Sequence, residues 1–163
     1  MATFRIIDEI DRNILNIIQN DGRASNVDIA RRVGLAPSAV LERIRKLERT
    51  GVIRGYVALI DPRVLGLGML AFVAVQTAEH PGEERIARTL ARMPEILEVH
   101  HVAGQDCFLV KLRARDAEHV GELLKKKIGR IPGVRSTRTT IVLGTEKDTP
   151  VLPIEAAGGE SNS

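Results

Sequence analysis

The stretch SNVDIARRVGLAPSAVLERIRKLERTG, residues 25 to 51, constrains the fold more than any other part of this chain. Ser25 followed three residues later by Asp28 is a capping pattern, so a helix is expected to begin here. Gly34 accepts the left-handed backbone that ends a helix, and Pro37 suits the first turn of the next one. The spacing therefore predicts two short helices joined by a tight turn, a helix-turn-helix.

The second of these predicted helices has one apolar side and one polar side. Val40, Ile44 and Leu47 recur at helical spacing, and the opposite side carries small and charged residues. Between Arg23 and Arg54 there are eight Lys or Arg and three Asp or Glu, so the local net charge of +5 exceeds the +3 of the whole chain. This face is typical of a helix that enters the major groove of DNA, although an ordinary solvated surface also explains it. The residues expected to contact bases or phosphates are Arg23, Ser25, Ser38, Ala39, Glu42, Arg43, Arg45, Lys46, Arg49 and Arg54.

By pattern, the chain divides into two small domains. Apolar residues at helical spacing from Asp8 to Asn20 predict a first helix, and the β-branched run from Val52 to Ile60 is typical of a wing strand with Arg54 at a phosphate. Asp61-Pro62 and Gly66 then mark a change of pattern. We expect a winged helix-turn-helix domain over residues 1–60, a linker over 61–68, a second domain over 69–154 and a flexible tail over 155–163.

The second domain is predicted to alternate strands and helices. The strands are expected over 70–77, 96–103, 108–114 and 134–143, and the helices over 81–92 and 116–129. This βαββαβ order is typical of ferredoxin-like folds, so the fold class is α+β. Both helices would cover one face of the sheet and leave Val and Leu side chains on the other, which favours a homodimer. Residues 151–154 are a candidate edge strand.

Composition narrows the function classes. Four aromatic residues in a chain of 163 are too few for a stacking platform that binds RNA or single strands. Cys107 is the sole cysteine, so one chain can form neither a disulfide nor a cysteine metal cluster. The sequence MATFRIIDEIDR contains acidic residues where a signal peptide is apolar, and no apolar run is long enough to span a bilayer. We expect a cytoplasmic protein with no membrane association, no metal and no cofactor.

Several segments resemble, in order, the Lrp/AsnC family (leucine-responsive and asparagine-responsive regulators) of prokaryotic transcription factors. The matching segments are IDRNIL, NVDIARRVGL and ERIRKLERTGVI, and the similarity extends from Ile7 to Leu143. The resemblance implies a sequence-specific regulator, not an enzyme, that binds double-stranded DNA at pseudo-palindromic promoter sites. It also implies a RAM (regulator of amino-acid metabolism) domain that binds a small effector, an amino acid, between subunits, and homodimers that assemble to a tetramer or octamer. Sirohaem decarboxylases, which have a similar two-part chain, are the enzyme alternative, and their resemblance here is limited to a strand histidine, His100 or His101.

The resemblance places the effector at the loop after the second strand of the second domain. Gly104 and Phe108 match the family pattern there, but Cys107 stands where the family often has Asp. A glycine turn presents backbone N–H groups to a carboxylate, and Gln105 or Asp106 can accept from an ammonium group, but the same residues also suit a plain hairpin turn. The residues expected to line the effector site, with threonines from the last strand of a partner subunit, are Val102, Gly104, Gln105, Asp106, Cys107, Thr137, Thr139 and Thr140.

Two further side-chain types invite a reactive role. His100 and His101 are adjacent in a predicted strand, so they point to opposite faces of the sheet and cannot bind one metal ion together. Structural or solvated histidines are the expected outcome. Cys107 has apolar neighbours and is expected to be a packing residue more than a redox sensor.

Overall fold

The computed structural model describes residues 7–78, 84–104 and 106–154, which form two compact units. One unit contains residues 7–59 together with 148–154, and the other contains residues 60–147. The sequence placed residues 148–154 in the second domain, whereas the structure groups them with the first. The expected tail over 155–163 lies outside the described residues. No helix in the described ranges has both the length and the apolar character needed to cross a membrane.

The N-terminal unit contains three helices: α1 (Glu9–Asn20), α2 (Asn26–Val33) and α3 (Pro37–Arg49). Gly34 ends α2 with a φ of 71°, a left-handed conformation that favours glycine. The core side chains come from all three helices, which explains why none of them needs to be long. They are Ile14, Ile29, Ala30, Val40, Ile44 and Leu47. Val27, which lies at the start of α2, is 55% exposed and does not belong to this core.

The segment after α3 is not a strand. Residues 52–60 have no regular structure, and the side chains of Val57 and Leu59 are 83% and 77% exposed. A strand requires a neighbouring strand to pair its backbone groups, and the described part of this unit contains none. The Tyr56 hydroxyl instead donates to Glu48 Oε1 at 2.9 Å, and burial together with this bond raises the pKa of Tyr56 to about 12.

Residues 148–154 bind α1 through their backbone. The Gln19 side-chain amide donates to the Leu152 carbonyl oxygen at 2.8 Å and accepts from the Leu152 N–H at 3.0 Å. Asn16, one helical turn earlier, donates to the Ile154 carbonyl oxygen at 3.3 Å. The edge strand expected over 151–154 is therefore absent, because these backbone groups pair with side chains of α1 and not with the sheet.

The second unit is an antiparallel sheet with helices on one face. Its strands are β1 (Met69–Thr77), β2 (Ile96–His101), β3 (Phe108–Ala114) and β4 (Val134–Ile141), in the order β2-β3-β1-β4. The helices are α4 (Arg85–Ala91) and α5 (Ala117–Glu122), and a short 3-10 turn (Pro62–Leu65) precedes β1. This is the ferredoxin-like βαββαβ arrangement, so the predicted fold class is confirmed.

The core of this unit lies between the sheet and the helices. Val73 and Val110 face Leu90 and Ile128, and all four are essentially inaccessible to water. On the other face of the sheet, Phe72 and Leu109 stay half-buried. The helix expected over 116–129 changes geometry after Glu122, through one π turn (Leu123–Lys127) and one 3-10 turn (Ile128–Arg130).

Candidate nucleic-acid interface and effector loop

A side-chain cap stabilises the start of α2, the first helix of the helix-turn-helix. Ser25 Oγ accepts from the Asp28 backbone N–H at 3.1 Å and donates to Asp28 Oδ2 at 2.6 Å, and the Ser25 hydroxyl lowers the pKa of Asp28. This is the capping contact that the sequence predicted. Because the Ser25 hydroxyl is engaged in the cap, a DNA contact from this residue would have to come from its backbone or replace the cap.

The polar side of α3 is exposed to solvent. The five residues Ser38, Glu42, Arg45, Lys46 and Arg49 are all exposed, and Ala39 is half-buried. Arg45 Nη1 lies 3.1 Å from Glu42 Oε1, an exposed ion pair of small energetic value. The opposite side of the helix is buried in the core. This arrangement leaves a row of hydrogen-bonding and cationic groups free to meet the edge of a duplex.

Arg43 is not on that free face. Its Nη1 donates to Asp8 Oδ2 at 2.6 Å and to Asp11 Oδ1 at 2.7 Å, so the guanidinium of α3 is joined to the start of α1. The Asp11 side chain is 2% exposed. Hydrogen bonds from the Asp11 backbone N–H and from Arg43 lower the pKa of Asp8, and the two carboxylates raise the pKa of Arg43. The sequence prediction placed Arg43 among the DNA contacts because it lies on a cation-rich helix.

Arg23 and Arg54, the predicted phosphate contacts outside α3, are both exposed. Arg23 follows α1, and its backbone N–H donates to Asp21 Oδ1 at 3.0 Å. Arg54 lies in the irregular segment 52–60 and not on the expected wing strand. Both side chains are accessible to a phosphate, but only Arg23 lies in a turn fixed by a neighbouring side chain.

The predicted effector loop closes a hairpin between β2 and β3. The Val102 N–H donates to the Cys107 carbonyl oxygen at 3.0 Å, and the Cys107 N–H donates to the Val75 carbonyl oxygen at 3.0 Å. Gly104 is exposed, with a φ of 132° that only glycine adopts without strain. Gln105 lies outside the described residues. The loop is therefore a hairpin turn, and it leaves the Gly104 backbone exposed to solvent.

An ion pair that the sequence analysis did not anticipate joins this loop to β4. Arg138 Nη2 donates to Asp106 Oδ2 at 2.6 Å, and the Arg138 side chain is 73% exposed. The only signal in the sequence was strand alternation, which places Arg138 and Thr140 on the same face. That alternation also separates the threonines: Thr137 and Thr139 oppose Val75 and Val73 on the helix-covered face, whereas Thr140 opposes Phe72 on the other. The three threonines therefore cannot line one pocket from one face.

The histidines and the cysteine have structural contacts. His101 packs on Phe108 with ring centroids 5.2 Å apart, while His100 Nε2 lies 3.0 Å from Glu98 Oε2. Hydrogen bonds from His100 and Lys111 lower the pKa of Glu98. Cys107 packs against the core of the second unit. Within the described ranges, no group of three or more His, Cys, Asp or Glu side chains comes together as a metal site would require.

Comparison with known proteins agrees with both halves of this description. A family model described as the Lrp/AsnC ligand binding domain matches residues 70–152, and one described as winged helix-turn-helix DNA-binding matches residues 7–54. The HTH-type transcriptional regulator FL11 of Pyrococcus horikoshii is 46% identical over 149 residues, which cover 91% of this chain and 97% of FL11. This chain belongs to the Lrp/AsnC family.

Other Lrp/AsnC proteins extend the comparison to experimental structures. The leucine-responsive regulatory protein of Escherichia coli is 41% identical over 151 residues, covering 91% of this chain and 92% of that protein. A transcriptional regulator from Neisseria meningitidis, solved as a complex with L-Met, is 30% identical with a TM-score of 0.86, covering 91% of this chain and 97% of that one. The feast or famine regulatory protein of M. tuberculosis, complexed with L-methionine, is 33% identical with a TM-score of 0.85, covering 92% and 100%.

The chain is thus a DNA-binding transcriptional regulator of the Lrp/AsnC type. The N-terminal unit carries the helix-turn-helix, and the second unit carries the sheet of the ligand-binding domain. The relatives named above are named as transcriptional regulatory proteins.

Proposed function

We propose that this Lrp/AsnC regulator reads DNA with α3 and changes its promoter occupancy when an amino acid binds between the subunits of a homo-oligomer. The observation that carries the proposal is the polar side of α3, on which Ser38, Glu42 and Lys46 are exposed while the opposite side is buried. Glu42 can accept from a cytosine amino group, and Ser38 and Lys46 can donate to base edges or phosphates. Among the predicted contacts, the exposed arginines Arg23, Arg45, Arg49 and Arg54 are assigned to phosphates.

A two-fold symmetric homodimer would present two copies of α3 to one duplex. Each copy then reads one half of a pseudo-palindrome, with half-sites separated by about one helical turn, roughly 10 base pairs, or a multiple of it. Support comes from Phe72 and Leu109, which lie on the sheet face that α4 and α5 do not cover. A second subunit would bury these side chains, and dimers would assemble further to a tetramer or octamer.

The effector site is assigned to the hairpin from Val102 to Cys107 and to the threonines of β4 from a neighbouring subunit. A free amino acid has a carboxylate and an ammonium group close together. The exposed Gly104 backbone N–H can donate to the carboxylate, and Asp106 can accept from the ammonium. Two relatives of similar structure were solved with L-Met or L-methionine, which supports an amino acid as the class of effector. Thr140 lies on the uncovered sheet face that a second subunit would bury, so it fits this role better than Thr137 and Thr139, which lie on the helix-covered face.

Regulation follows from linkage between the two sites. An effector shifts promoter occupancy only if it binds one assembly more tightly than another. The factor by which the effector changes the affinity of the protein for DNA equals the factor by which DNA changes the affinity of the protein for the effector. A site built between subunits meets this condition because its geometry changes whenever the subunits rearrange.

A gel shift on the DNA upstream of the gene, repeated over a range of salt concentrations, tests the DNA-binding part. Lys46→Ala should weaken binding about tenfold and leave the oligomer unchanged in size-exclusion chromatography. Lys125→Ala, which removes an exposed lysine in the second unit, is the matched control and should bind normally. Equal affinities in the two variants, or loss of the oligomer in Lys46→Ala, would contradict the assignment of this face.

Thermal unfolding in the presence of each of the common amino acids tests the effector part. A ligand present at about 100 times its Kd stabilises the folded state by about 2.7 kcal/mol, which is readily detected. No stabilisation by any amino acid would remove the effector assignment but leave DNA binding intact. Visible absorption from a bound tetrapyrrole, with no gel shift, would instead support the sirohaem decarboxylase alternative.

A further inference from the structure

Arg43 occupies the middle of the recognition helix but directs its charge into the protein. One guanidinium nitrogen bonds two carboxylates of α1, at 2.6 Å to Asp8 and at 2.7 Å to Asp11. The Arg43 side chain is 29% exposed and the Asp11 side chain 2% exposed, so most of this contact is removed from water. Among the described residues of the N-terminal unit, no other ion pair joins α3 to another helix.

We propose that Arg43 is a positioning residue, which fixes α3 on α1 so that Ser38, Glu42 and Lys46 meet the correct bases, and that it does not itself bind DNA. The inference rests on α3 being the recognition helix. It assigns to Arg43 control of sequence specificity in place of the phosphate or base contact that the sequence analysis expected.

The first argument concerns what holds α3 in place. Val40, Ile44 and Leu47 contribute apolar burial, which is strong but non-directional and permits small sliding and rotation of a helix. A bond from one guanidinium to two carboxylates has a defined geometry, and charge-assisted hydrogen bonds are about twice as strong as neutral ones. Base readout requires side chains to be held within a fraction of an ångström, so a directional bond is the contact that supplies the required precision.

The second argument concerns why Arg43 stays where it is. If Arg43 rotated outward to a phosphate, the buried carboxylate of Asp11 would lose the guanidinium that donates to it. A buried charge left without its partner is strongly unfavourable, whereas a surface arginine gains only a modest contact to a phosphate. Arg45, two residues later, is 57% exposed and its ion-pair partner Glu42 is exposed too, so Arg45 is the better candidate for a phosphate contact.

Asp8 adds a further connection at the same point. Its Oδ1 accepts from the Asp11 backbone N–H at 2.7 Å and so caps α1, while its Oδ2 accepts from Arg43. The cap of α1 and the anchor of α3 therefore share one carboxylate. Displacing Arg43 would disturb the first turn of α1 as well as the recognition helix.

The two roles predict different effects of salt. Removing a phosphate contact lowers the slope of log affinity against log salt by about 0.9, whereas a change in helix position leaves the number of neutralised phosphates unaltered. Arg45→Gln is expected to lower the slope by about one unit. Arg43→Gln, which removes the charge as Arg45→Gln does but keeps a side-chain N–H donor, is expected to keep the slope and to lower operator affinity by roughly tenfold relative to non-specific DNA.

Asp11→Asn provides the decisive experiment, because it leaves the Arg43 side chain intact and weakens only its anchor. As a positioning residue, Arg43 requires Asp11, so operator affinity should fall by roughly tenfold while binding to non-specific DNA changes little. As a DNA contact, Arg43 would be freed and operator affinity would be unchanged or higher. Glu9→Gln removes an exposed negative charge from the same turn of α1 and controls for the change of net charge.

Circular dichroism of each variant shows whether it is folded, and Arg43→Gln remains informative if Asp11→Asn fails to fold. Unchanged or tighter operator binding by Asp11→Asn, or a salt slope lowered by about one unit in Arg43→Gln, would overturn the inference. If Lys46→Ala and Arg45→Gln also bound operator DNA normally, the recognition-helix assignment would fail as well. The experiment therefore separates failure of this inference from failure of the proposed function.

Discussion

The two units are stabilised by different balances of interactions. Among the residues that the structure describes, thirteen buried apolar residues form the core between the sheet and helices of the second unit, whereas six form the core of the N-terminal unit. The smaller unit adds directional contacts, from Arg43 to two carboxylates and from Gln19 to the backbone of Leu152. A small helical unit that must hold a recognition helix in one orientation depends more on polar contacts, and the sheet depends more on apolar burial.

The largest expected effect is in the core of the sheet. Leu112→Ala removes a side chain that is 0% exposed and should lower the free energy of unfolding of the second unit by about 3 kcal/mol. Urea unfolding monitored by circular dichroism measures this. Leu143→Ala, at a position that is 98% exposed, should cost little. Similar losses in both variants would show that apolar burial is not what distinguishes this unit.

Gly104→Val tests the effector loop. A side chain at a φ of 132° strains the backbone by about 2 kcal/mol, although no heavy atom lies within 4 Å of the added Cβ. We expect the variant to lose the thermal shift with amino acids and to keep its affinity for DNA. Gly144→Val, where the space is also open and φ is not positive, is the control. A variant that still responded to the effector would reduce this loop to a plain turn.

Gln19→Ala tests the polar contacts of the N-terminal unit. Loss of the two hydrogen bonds to Leu152 should destabilise the docked segment by about 1–2 kcal/mol and speed hydrogen exchange at the Leu152 amide. Asn20→Ala removes an amide that bonds only within α1, to the Asn16 carbonyl oxygen, and should leave that amide protected. Equal exchange in wild type and Gln19→Ala would mean that segment 148–154 is held by something other than these bonds.

The smallest expected effect is the pH dependence of the free energy of unfolding that Asp8 contributes. The pKa of Asp8 lies below its ordinary value of 3.8 because the Asp11 N–H and Arg43 donate to it. Unfolding restores the ordinary value, so this contribution to stability is fully present above about pH 4 and is lost as the pH falls through the lower pKa of the folded state. Between pH 5 and 3, the free energy of unfolding should fall less in Arg43→Gln than in the wild type. Urea unfolding monitored by the helical circular dichroism signal measures this. Glu95 and Glu98, whose pKa values are also lowered, contribute equally to both proteins. A steeper loss in the variant would contradict the assignment.

The elements whose signals are local could be predicted from sequence. Ser25, Gly34 and Pro37 define α2 and the start of α3 through capping and backbone preferences that need no distant partner. Alternation of strands and helices likewise predicts the ferredoxin-like order, and β3 has the predicted bounds. The exposed side of α3 follows from the spacing of its apolar residues.

The features that the sequence did not reveal have a common physical cause, since each depends on the presence or absence of a partner far away in the sequence. Arg43 lies at the edge of the apolar stripe, where periodicity cannot distinguish a solvent-facing guanidinium from one paired with Asp11, 32 residues earlier. The β-branched run 52–60 has strand propensity, but propensity does not supply a neighbouring strand. Arg138 pairs with Asp106, which is again 32 residues away in the sequence, with β3 and α5 between them.

The return of the chain to α1 makes the DNA-binding half discontinuous in sequence. Because residues 148–154 belong to the same unit as residues 7–59, a fragment that stops at Leu59 lacks the backbone that Gln19 and Asn16 bind. Excising this half for separate work therefore requires two pieces of polypeptide, joined artificially or mixed. After a single proteolytic cut in the connection near Ile60, the carboxyl-terminal piece would stay attached to α1 by non-covalent contacts, among them the hydrogen bonds of Gln19 and Asn16.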